Sequence, residues 1–374
     1  MKERKSIFLV VNVDWFFLSH RLSLANFLRK EGYNVAVLCN DTGKMEIIRN
    51  QGFECFNINF GRGINGGFSE IYSFIQLIWH FITKRPSIVH NFGLKVITIS
   101  SLAARITKVP KVINTFTGLG MQFMHPGDNF TKRILRFSLK HDLKDSNIVL
   151  QFQNNDDLAE IKLLLGKEGR SDKFVCIDGS GIDLNIYKFH ALPSNPVPRF
   201  LFASRLLKSK GTLLFLEAAK SILSENIKAE FVVFGDIDKE NSDSVEESDL
   251  LKFKDISGLK ILGHTNQLMN EIISSHIVVL PSKYREGIPK VLIEACAIGR
   301  PIITTNSFGC REAVNNDLNG VLLNNCEVED LVNAMRLMIQ NIGTLPEMGK
   351  ESHLLAENRF DERIIFKKTV EMYQ

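Results

Sequence analysis

The chain lacks the features that define several classes of protein. None of its apolar runs approaches the roughly 20 residues of a membrane-spanning helix. Its six cysteines form no Cys-x-x-Cys pair and no Cys/His cluster, which favours reduced, mostly buried thiols over a zinc site or a disulfide framework. No signal peptide is visible, because the first apolar run, residues 7–13, is only strand-length and Asp14 follows it. We therefore expect a cytoplasmic protein.

The composition is that of a globular protein with an uneven charge distribution. At 374 residues, with 44% hydrophobic and 24% charged residues, the chain is long enough for two domains. Residues 1–185 hold 24 Lys and Arg against 17 Asp and Glu, whereas residues 186–374 hold 22 against 25. The basic half suggests an anionic partner. Nucleic acid is disfavoured, since no dense Lys/Arg stripe is interleaved with aromatic residues.

Strand-like apolar runs alternate with helix-length segments along the whole chain, a pattern typical of parallel, doubly wound sheets. The first half has predicted strands at residues 7–13, 34–39, 88–90, 111–115, 148–151 and 174–177, and predicted helices at 22–31, 44–51, 68–84, 97–107, 131–144 and 156–165. The second half has predicted strands at residues 200–203, 231–234, 260–262, 277–280, 301–304 and 320–323. We predict an α/β fold of two Rossmann-like domains that face each other across a cleft.

Three prolines within nine residues mark the boundary between the two halves. We predict an acceptor-binding domain at residues 1–189, a linker at 190–198 and a nucleotide-sugar-binding domain at 199–355. The last segment, residues 356–374, is predicted to be a helix that returns to the first domain.

Two carboxylates near the C-terminus bracket a predicted helix. Glu286 precedes Gly287-Ile288-Pro289, and Glu294 follows eight positions after Glu286. Pro289 suits the start of a helix and Gly299 its end, so Glu286 should lie in a loop at the helix mouth and Glu294 inside the helix. Backbone N–H groups at such a helix start favour an anion. A loop carboxylate, a helix N-terminus and a second carboxylate together suit a phosphorylated sugar.

The predicted second domain begins with two basic residues in a characteristic position. Arg205 follows the strand at residues 200–203, and Lys210 precedes Gly211 and a new helix. Arg offers a planar pair of donors and Lys a compact charge, which together can grip a diphosphate.

The patterns R-L-x-x-x-K-G and E-G-x-P-x-x-x-x-E resemble the donor site of family 4 retaining glycosyltransferases of the GT-B fold, and the resemblance extends over residues 200–323. It implies that Arg205 and Lys210 bind the diphosphate of a nucleotide sugar, Glu294 the ribose, and Glu286 with the Gly287, Ile288 and Pro289 backbone the donor sugar. It also implies catalytic roles for Arg205, Lys210 and Glu286.

The first half resembles bacterial enzymes of that family that add a hexose or N-acetylhexosamine to polyprenyl-diphosphate-linked sugars, in O-antigen, capsule or protein-glycan assembly. The resemblance lies in residues 14–21, 116–120, 152–157 and 179–183. His20 and Arg21, in a loop expected after the first strand, are predicted acceptor contacts together with Thr117, Gly118 and His90. Many relatives have V-x-H-x-H where this chain has Val89-His90-Asn91-Phe92, so His90 is either an acceptor contact or a structural histidine at a strand end.

The resemblance implies an enzyme that docks on the cytoplasmic face of the inner membrane through its first domain. Residues 131–140 could do so, with basic and apolar residues on separate faces, or could be an ordinary amphipathic helix packed on its sheet. The apolar segment 68–81 is expected to be core.

No metal and no cofactor are expected. Asp236-Ile237-Asp238 matches a D-x-D metal motif of an unrelated glycosyltransferase fold, but it begins an acidic segment, 236–249, that we expect to be a solvated loop. Two alternatives are a GT-B nucleotide-sugar 2-epimerase and a non-catalytic sugar-binding protein. The epimerase is disfavoured because no acidic catalytic cluster can be assigned. The sugar-binding protein is disfavoured because such proteins are usually exported and no signal peptide is visible here.

Overall fold

The computed structural model describes residues 5–61, 67–120, 123, 130–170 and 172–374. The chain forms two compact units. The first contains Met1–Ser180 and Ile365–Gln374, and the second contains Gly181–Ile364. The domain boundaries expected from the sequence stay a prediction. In the described ranges, no helix is both long enough and apolar enough to cross a membrane.

The first unit is a parallel sheet with helices on both faces. Its strands are β1 (Ser6–Val13), β2 (Asn34–Asn40), β3 (Glu54–Asn57), β4 (Ile88–Phe92), β5 (Lys111–Phe116), β6 (Ile148–Phe152) and β7 (Phe174–Cys176), in the order β3-β2-β1-β4-β5-β6-β7. Its helices are α1 (Asp14–His20), α2 (Leu22–Lys30), α3 (Met45–Asn50), α4 (Gly67–Lys84), α5 (Leu94–Ile106), α6 (Phe130–Asp142) and α7 (Asn155–Leu165).

Each face of this sheet has its own apolar core, which explains why the strands are apolar runs rather than alternating patterns. Side chains of α4, α5, α6 and α7 pack on one face, where Leu77, Phe81 and Leu139 are buried. Side chains of α1, α2 and α3 pack on the other face together with the last residues of the chain, including Phe366 and Tyr373.

The second unit repeats the architecture with a parallel sheet of order β10-β9-β8-β11-β12-β13. Its strands are β8 (Arg199–Ala203), β9 (Glu230–Phe234), β10 (Leu259–Leu262), β11 (Ile277–Leu280), β12 (Ile302–Thr305) and β13 (Gly320–Leu323). Its helices are α8 (Thr212–Ser224), α9 (Glu247–Leu251), α10 (Leu268–Ile273), α11 (Lys290–Ile298), α12 (Val328–Gln340) and α13 (Leu345–Leu355); a π-helical turn (Ala356–Phe360) then leads into α14 (Glu362–Glu371). The predicted pair of doubly wound Rossmann-like sheets is confirmed.

Three local expectations differ from the structure. Residues 14–20, expected as a loop, form α1 directly after β1, where the buried Asp14 carboxylate accepts hydrogen bonds from the backbone N–H groups of Thr42 and Lys44. The short strand β3 was not predicted. The segment 236–249 is not simply solvated: Ser244 pairs with Leu207 in an isolated bridge and Val245 is buried. Each depends on contacts with residues distant in sequence.

Candidate active site

The candidate site in the second unit lies where two neighbouring strands end. Strands β8 and β11 are parallel partners, so their carboxyl ends meet at one edge of the sheet, where ligands bind in open α/β sheets. The loop after β11 is joined to the loop after β8 by a 2.7 Å hydrogen bond from the Lys283 N–H to the Ser209 carbonyl. Gly211 has φ of +79°, and a Cβ there would collide with the Pro281 carbonyl. A glycine is therefore needed where the two loops touch.

Lys210 and Glu286, predicted from separate motifs, form an ion pair. The Lys210 side chain is only 6% exposed and that of Glu286 is 23% exposed. Burial lowers the pKa of Lys210 to about 7, and the Arg205 charge acts in the same direction. The adjacent Glu286 carboxylate opposes this shift, because an opposite charge favours the ammonium form. The ion pair fixes the desolvated Lys210 ammonium beside the Glu286 carboxylate, which is a hydrogen-bond acceptor.

Arg205 lies on the same edge but is more exposed. Its Nη1 atom is 3.1 Å from the Asp238 carboxylate, and its side chain is 44% exposed. Asp238 belongs to the D-x-D sequence, and in this structure it is an ion-pair partner of Arg205. Together, Arg205 and Lys210 present two cations at the end of β8.

Helix α11 has the predicted bounds and holds the second carboxylate. Pro289 is the residue before its first turn, and Gly299 ends it in a left-handed conformation with φ of +84°. Glu294 is buried, and its Oε1 atom accepts a 3.2 Å hydrogen bond from the Tyr187 hydroxyl and is 3.5 Å from Lys290 Nζ. Burial raises the pKa of Glu294, whereas Lys290 and Tyr187 act to lower it.

The loop between Glu286 and α11 is closely packed. Ile288 is 7% exposed, and Gly287 and Pro289 are also buried. Gly309 has φ of +76°, and a Cβ there would collide with the carbonyl oxygens of Gly287 and Glu286. Gly309 therefore lets this loop pack at the positive end of the α11 dipole, where an anion is favoured.

The predicted acceptor residues of the first unit meet at the ends of β1 and β4. The Arg21 guanidinium lies over the Phe92 ring, 4.4 Å from its centroid, and 5.7 Å from the Phe16 centroid. His20 stacks on Phe16 with centroids 4.6 Å apart, and its Nδ1 is 2.6 Å from Ser19 Oγ. It is the last residue of α1 rather than part of a loop.

Arg21 is a buried charge without a carboxylate beside it. The residue is 4% exposed, no described acidic residue pairs with it, and its Nε has no hydrogen-bond partner within the described ranges. Burial lowers the pKa of Arg21 to about 9, which still leaves it cationic at neutral pH. A desolvated, unpaired guanidinium is costly, so this position suits an anionic ligand.

His90 is fully buried, and both of its ring nitrogens have protein partners. Nδ1 is 2.7 Å from the Tyr373 hydroxyl and Nε2 is 2.6 Å from Thr115 Oγ1. Burial lowers the pKa of His90 well below its ordinary value, and the Arg21 charge lowers it further. Of the two alternatives from the sequence, this geometry favours a structural histidine at a strand end.

Thr117 and Gly118 follow β5 and are half-buried. Thr117 Oγ1 is 3.5 Å from the position of a Cβ on Gly93, the residue after Phe92. Thr117 therefore lies next to the segment that contacts Arg21. Gly118 has φ of +112°, which explains a glycine at this turn.

Two residues of the site were missed by the sequence reasoning. Tyr187 binds Glu294 across 107 positions of sequence, and no local pattern marks it. Tyr284 lies under Lys210, whose Nζ is 5.3 Å from the ring centroid. Tyr284 was detectable in principle, since it is two residues before Glu286.

The comparisons with known proteins agree with this fold. Residues 186–353 match the family "Glycosyl transferases group 1", and residues 6–154 match "Glycosyl transferase 4-like". The two matches together span most of the chain. The chain is therefore composed of a glycosyl transferase 4-like domain and a glycosyl transferases group 1 domain, has the GT-B fold, and is an enzyme that transfers sugars.

Relatives of known role align over nearly their full lengths. A capsular polysaccharide biosynthesis glycosyltransferase, CapM of Staphylococcus aureus, is 23% identical over 93% of this chain and 91% of its own. The N,N'-diacetylbacillosaminyl-diphospho-undecaprenol alpha-1,3-N-acetylgalactosaminyltransferase of Campylobacter jejuni is 25% identical over 96% and 97%. The Anabaena protein HepE, solved in complex with UDP-glucose, is 17% identical with a TM-score of 0.78 over 98% of both chains.

Proposed function

We propose that the protein is a retaining glycosyltransferase. It moves a hexose or N-acetylhexosamine from a UDP-sugar to a saccharide linked to polyprenyl diphosphate, in the synthesis of a bacterial surface polysaccharide or glycan. The C. jejuni relative, whose name includes a diphospho-undecaprenol acceptor, and the UDP-glucose complex of HepE support this choice of substrates. The observation that carries the proposal is the ion pair between the buried Lys210 and the half-buried Glu286 beside the start of α11.

In the proposed donor complex, Lys210 and Arg205 bind the diphosphate. The ion pair between Arg205 and Asp238 breaks when Arg205 binds it. Glu286 and the Gly287–Pro289 backbone hold the donor sugar. Glu294 accepts hydrogen bonds from the ribose hydroxyls, as a carboxylate with free lone pairs can. Tyr187 and Lys290 keep the Glu294 carboxylate in position.

In the proposed reaction, the bond from C1 of the sugar to the diphosphate oxygen breaks, and a bond from C1 to the acceptor oxygen forms on the same face. The acceptor hydroxyl gives its proton to a phosphate oxygen of the leaving diphosphate. Charge that develops on the diphosphate is stabilised by Lys210, Arg205 and the α11 dipole. The proposal includes no metal and no cofactor.

On the acceptor side, we propose that Arg21 binds a phosphate of the lipid diphosphate and that His20, Thr117 and Gly118 line the same site. The buried, unpaired guanidinium supports this role. Because that acceptor is held in a bilayer, the enzyme would act as a peripheral protein on the cytoplasmic face of the inner membrane.

A panel of UDP-sugars, each with and without a polyprenyl-diphosphate-linked acceptor, tests the proposal by mass spectrometry. A gain of one sugar on the lipid is expected. A sugar inverted at C2 without acceptor would indicate an epimerase instead, and binding without turnover would indicate a sugar-binding protein.

A further inference from the structure

The outer face of α4 carries a row of large apolar side chains. Ile71, Tyr72, Ile75, Trp79 and Ile82 are each 53–59% exposed. Their spacing places them along one side of the helix. We call these five residues the apolar stripe.

The apolar stripe lies on a different side of α4 from the apolar side that faces the sheet. On that side Leu77 and Phe81 are buried in the core, and Ser73 Oγ donates a 2.6 Å hydrogen bond to the Asn59 carbonyl. The apolar segment 68–81 was expected to be core, which is wrong for Ile71, Tyr72, Ile75 and Trp79 because these side chains are exposed. A helix that is apolar on both sides needs a second apolar environment, which the described part of the protein does not supply.

The neighbouring helices extend the same surface. Helix α5 packs beside α4, and α6 beside α5. Leu102 and Ile106 of α5 are 39% and 56% exposed, and Ile134 and Phe137 of α6 are 46% and 67% exposed. The apolar surface therefore continues across three adjacent helices.

The charges on these helices are strongly biased. Helices α4, α5 and α6 contain seven Lys and Arg residues against Glu70 and Asp142. Three of the bases have acidic partners among the described ion pairs: Lys95 pairs with Glu70 at 2.7 Å, Lys84 with Glu54 at 2.6 Å, and Lys140 with Glu168 at 2.9 Å. Seven bases against these three acids and the buried Asp142 leave a net charge of +3, so the field on this face is positive.

These features fit a lipid bilayer better than a protein. A second copy of the chain would bring two faces of like charge together. Trp and Tyr side chains are suited to the boundary between lipid headgroups and acyl chains, and Lys and Arg to anionic headgroups. Apolar residues on one helix flanked by bases are typical of helices that lie in this boundary.

We propose that α4 is the membrane-docking helix of this protein: its apolar stripe enters the headgroup–acyl boundary of an anionic bilayer, and Arg105 of α5 with Arg133 and Arg136 of α6 bind the headgroups. The docking helix rests on the proposed function in one respect: docking would bring the enzyme to its lipid-linked acceptor. Helix α6, which contains the segment 131–140 considered for membrane docking from the sequence, then has an electrostatic role beside α4.

Sedimentation with vesicles of mixed phosphatidylglycerol and phosphatidylethanolamine tests the docking helix. The double variant Ile75→Glu, Trp79→Glu is compared with Leu251→Glu, Leu318→Glu, which places the same charges on exposed leucines of the second unit. The stripe variant is expected to bind vesicles at least about tenfold more weakly, since each substitution removes a buried apolar contact with lipid. The control variant is expected to bind like the wild type, and pure phosphatidylcholine vesicles should bind the wild type more weakly.

Two acceptors separate this proposal from the proposed function. The stripe variant should keep wild-type kcat/KM on a water-soluble acceptor with a short prenyl chain, which also shows that it is folded, and lose activity on the long-chain acceptor in vesicles. Equal vesicle binding by wild type and stripe variant would overturn the docking helix. A wild-type dimer that the stripe substitutions dissociate, without vesicle binding, would overturn it in favour of self-association. A wild type that binds vesicles but transfers no sugar to either acceptor would contradict the proposed function alone.

Discussion

At the scale of single residues, the donor site depends on polar groups that the fold buries and orients. Glu294 is buried in α11, and Tyr187 is its hydrogen-bond partner from outside that helix. Burial of a carboxylate is costly unless hydrogen bonds and nearby positive charge offset it. Here the Tyr187 hydroxyl and the Lys290 ammonium provide both, and the carboxylate is held in one orientation.

We expect Glu294→Ala to weaken UDP binding by about 10- to 100-fold, because hydrogen bonds to a charged group contribute about 1.5–3 kcal/mol. Isothermal titration with UDP measures this. Tyr187→Phe, which removes only the 3.2 Å hydrogen bond, should weaken binding less. Wild-type affinity in Glu294→Ala would remove this residue from the donor site.

At the scale of elements, close approaches of loops shape the site. Gly309 permits the loop that begins at Glu286 to lie against the segment after β12. Its φ of +76° adds a second reason for glycine, since other residues rarely adopt that conformation.

Gly309→Ala should therefore displace the Glu286 loop and lower kcat/KM by more than about tenfold, as misplacement of reacting groups does. Steady-state kinetics on the soluble acceptor measure the effect. Gly343→Ala is the matched control, because a Cβ there meets nothing within 4 Å. If the two variants have equal kcat/KM, the close approach is not required.

A second element-scale prediction concerns the C-terminal end of α6. Asp142 is buried, and its Oδ2 accepts hydrogen bonds of 2.9 Å from Ser101 and 3.1 Å from Asn114. Burial raises the pKa of Asp142 to about 6, although Arg105 and Lys173 oppose this. The folded state therefore keeps a proton that the unfolded state releases near pH 4. The free energy of unfolding from this group should fall as pH rises from about 4 through about 6.

Urea denaturation of wild type and Asp142→Asn at pH 4.5 and 7.5 checks this. The stability of the wild type relative to the variant should be lower at pH 7.5, by about 2 kcal/mol. A difference that is the same at both pH values would show that Asp142 titrates normally.

At the scale of the whole molecule, the chain crosses between its units twice. The second unit ends at Ile364, and the last ten residues belong to the first unit. Phe366 is 3% exposed and its ring is 5.3 Å from that of Phe27, while Tyr373 contacts His90. The end of the chain thus completes one of the two cores of the first unit.

Phe366→Ala should lower the free energy of unfolding of the first unit by about 3–5 kcal/mol, the usual cost of truncating a buried phenylalanine. Differential scanning calorimetry would show the shift. Lys367→Ala, at an exposed position of the same helix, should change it by less than about 0.5 kcal/mol. Equal transitions in both variants would contradict this role of α14.

The sequence was sufficient for the parallel sheets and for α11, because buried strands and helix ends have local signals such as apolar runs, Pro289 and Gly299. The motifs also identified Lys210 and Glu286, which the fold brings into contact. Tyr187, α1 and the exposed face of α4 were not recognised. Periodicity shows that a helix is apolar but not which of its apolar faces the protein covers, and long-range partners have no local signature.

The most direct test of the central claim compares acceptor masses after incubation of wild type and Lys210→Ala with a UDP-sugar and a polyprenyl-diphosphate-linked saccharide. Wild type should add one sugar to the lipid-linked saccharide. Lys210→Ala, with an unchanged circular dichroism spectrum, should be slower by at least about 100-fold, because the leaving diphosphate loses a buried cation. Transfer by Lys210→Ala at the wild-type rate, or no transfer by wild type with any UDP-sugar, would contradict the proposed function.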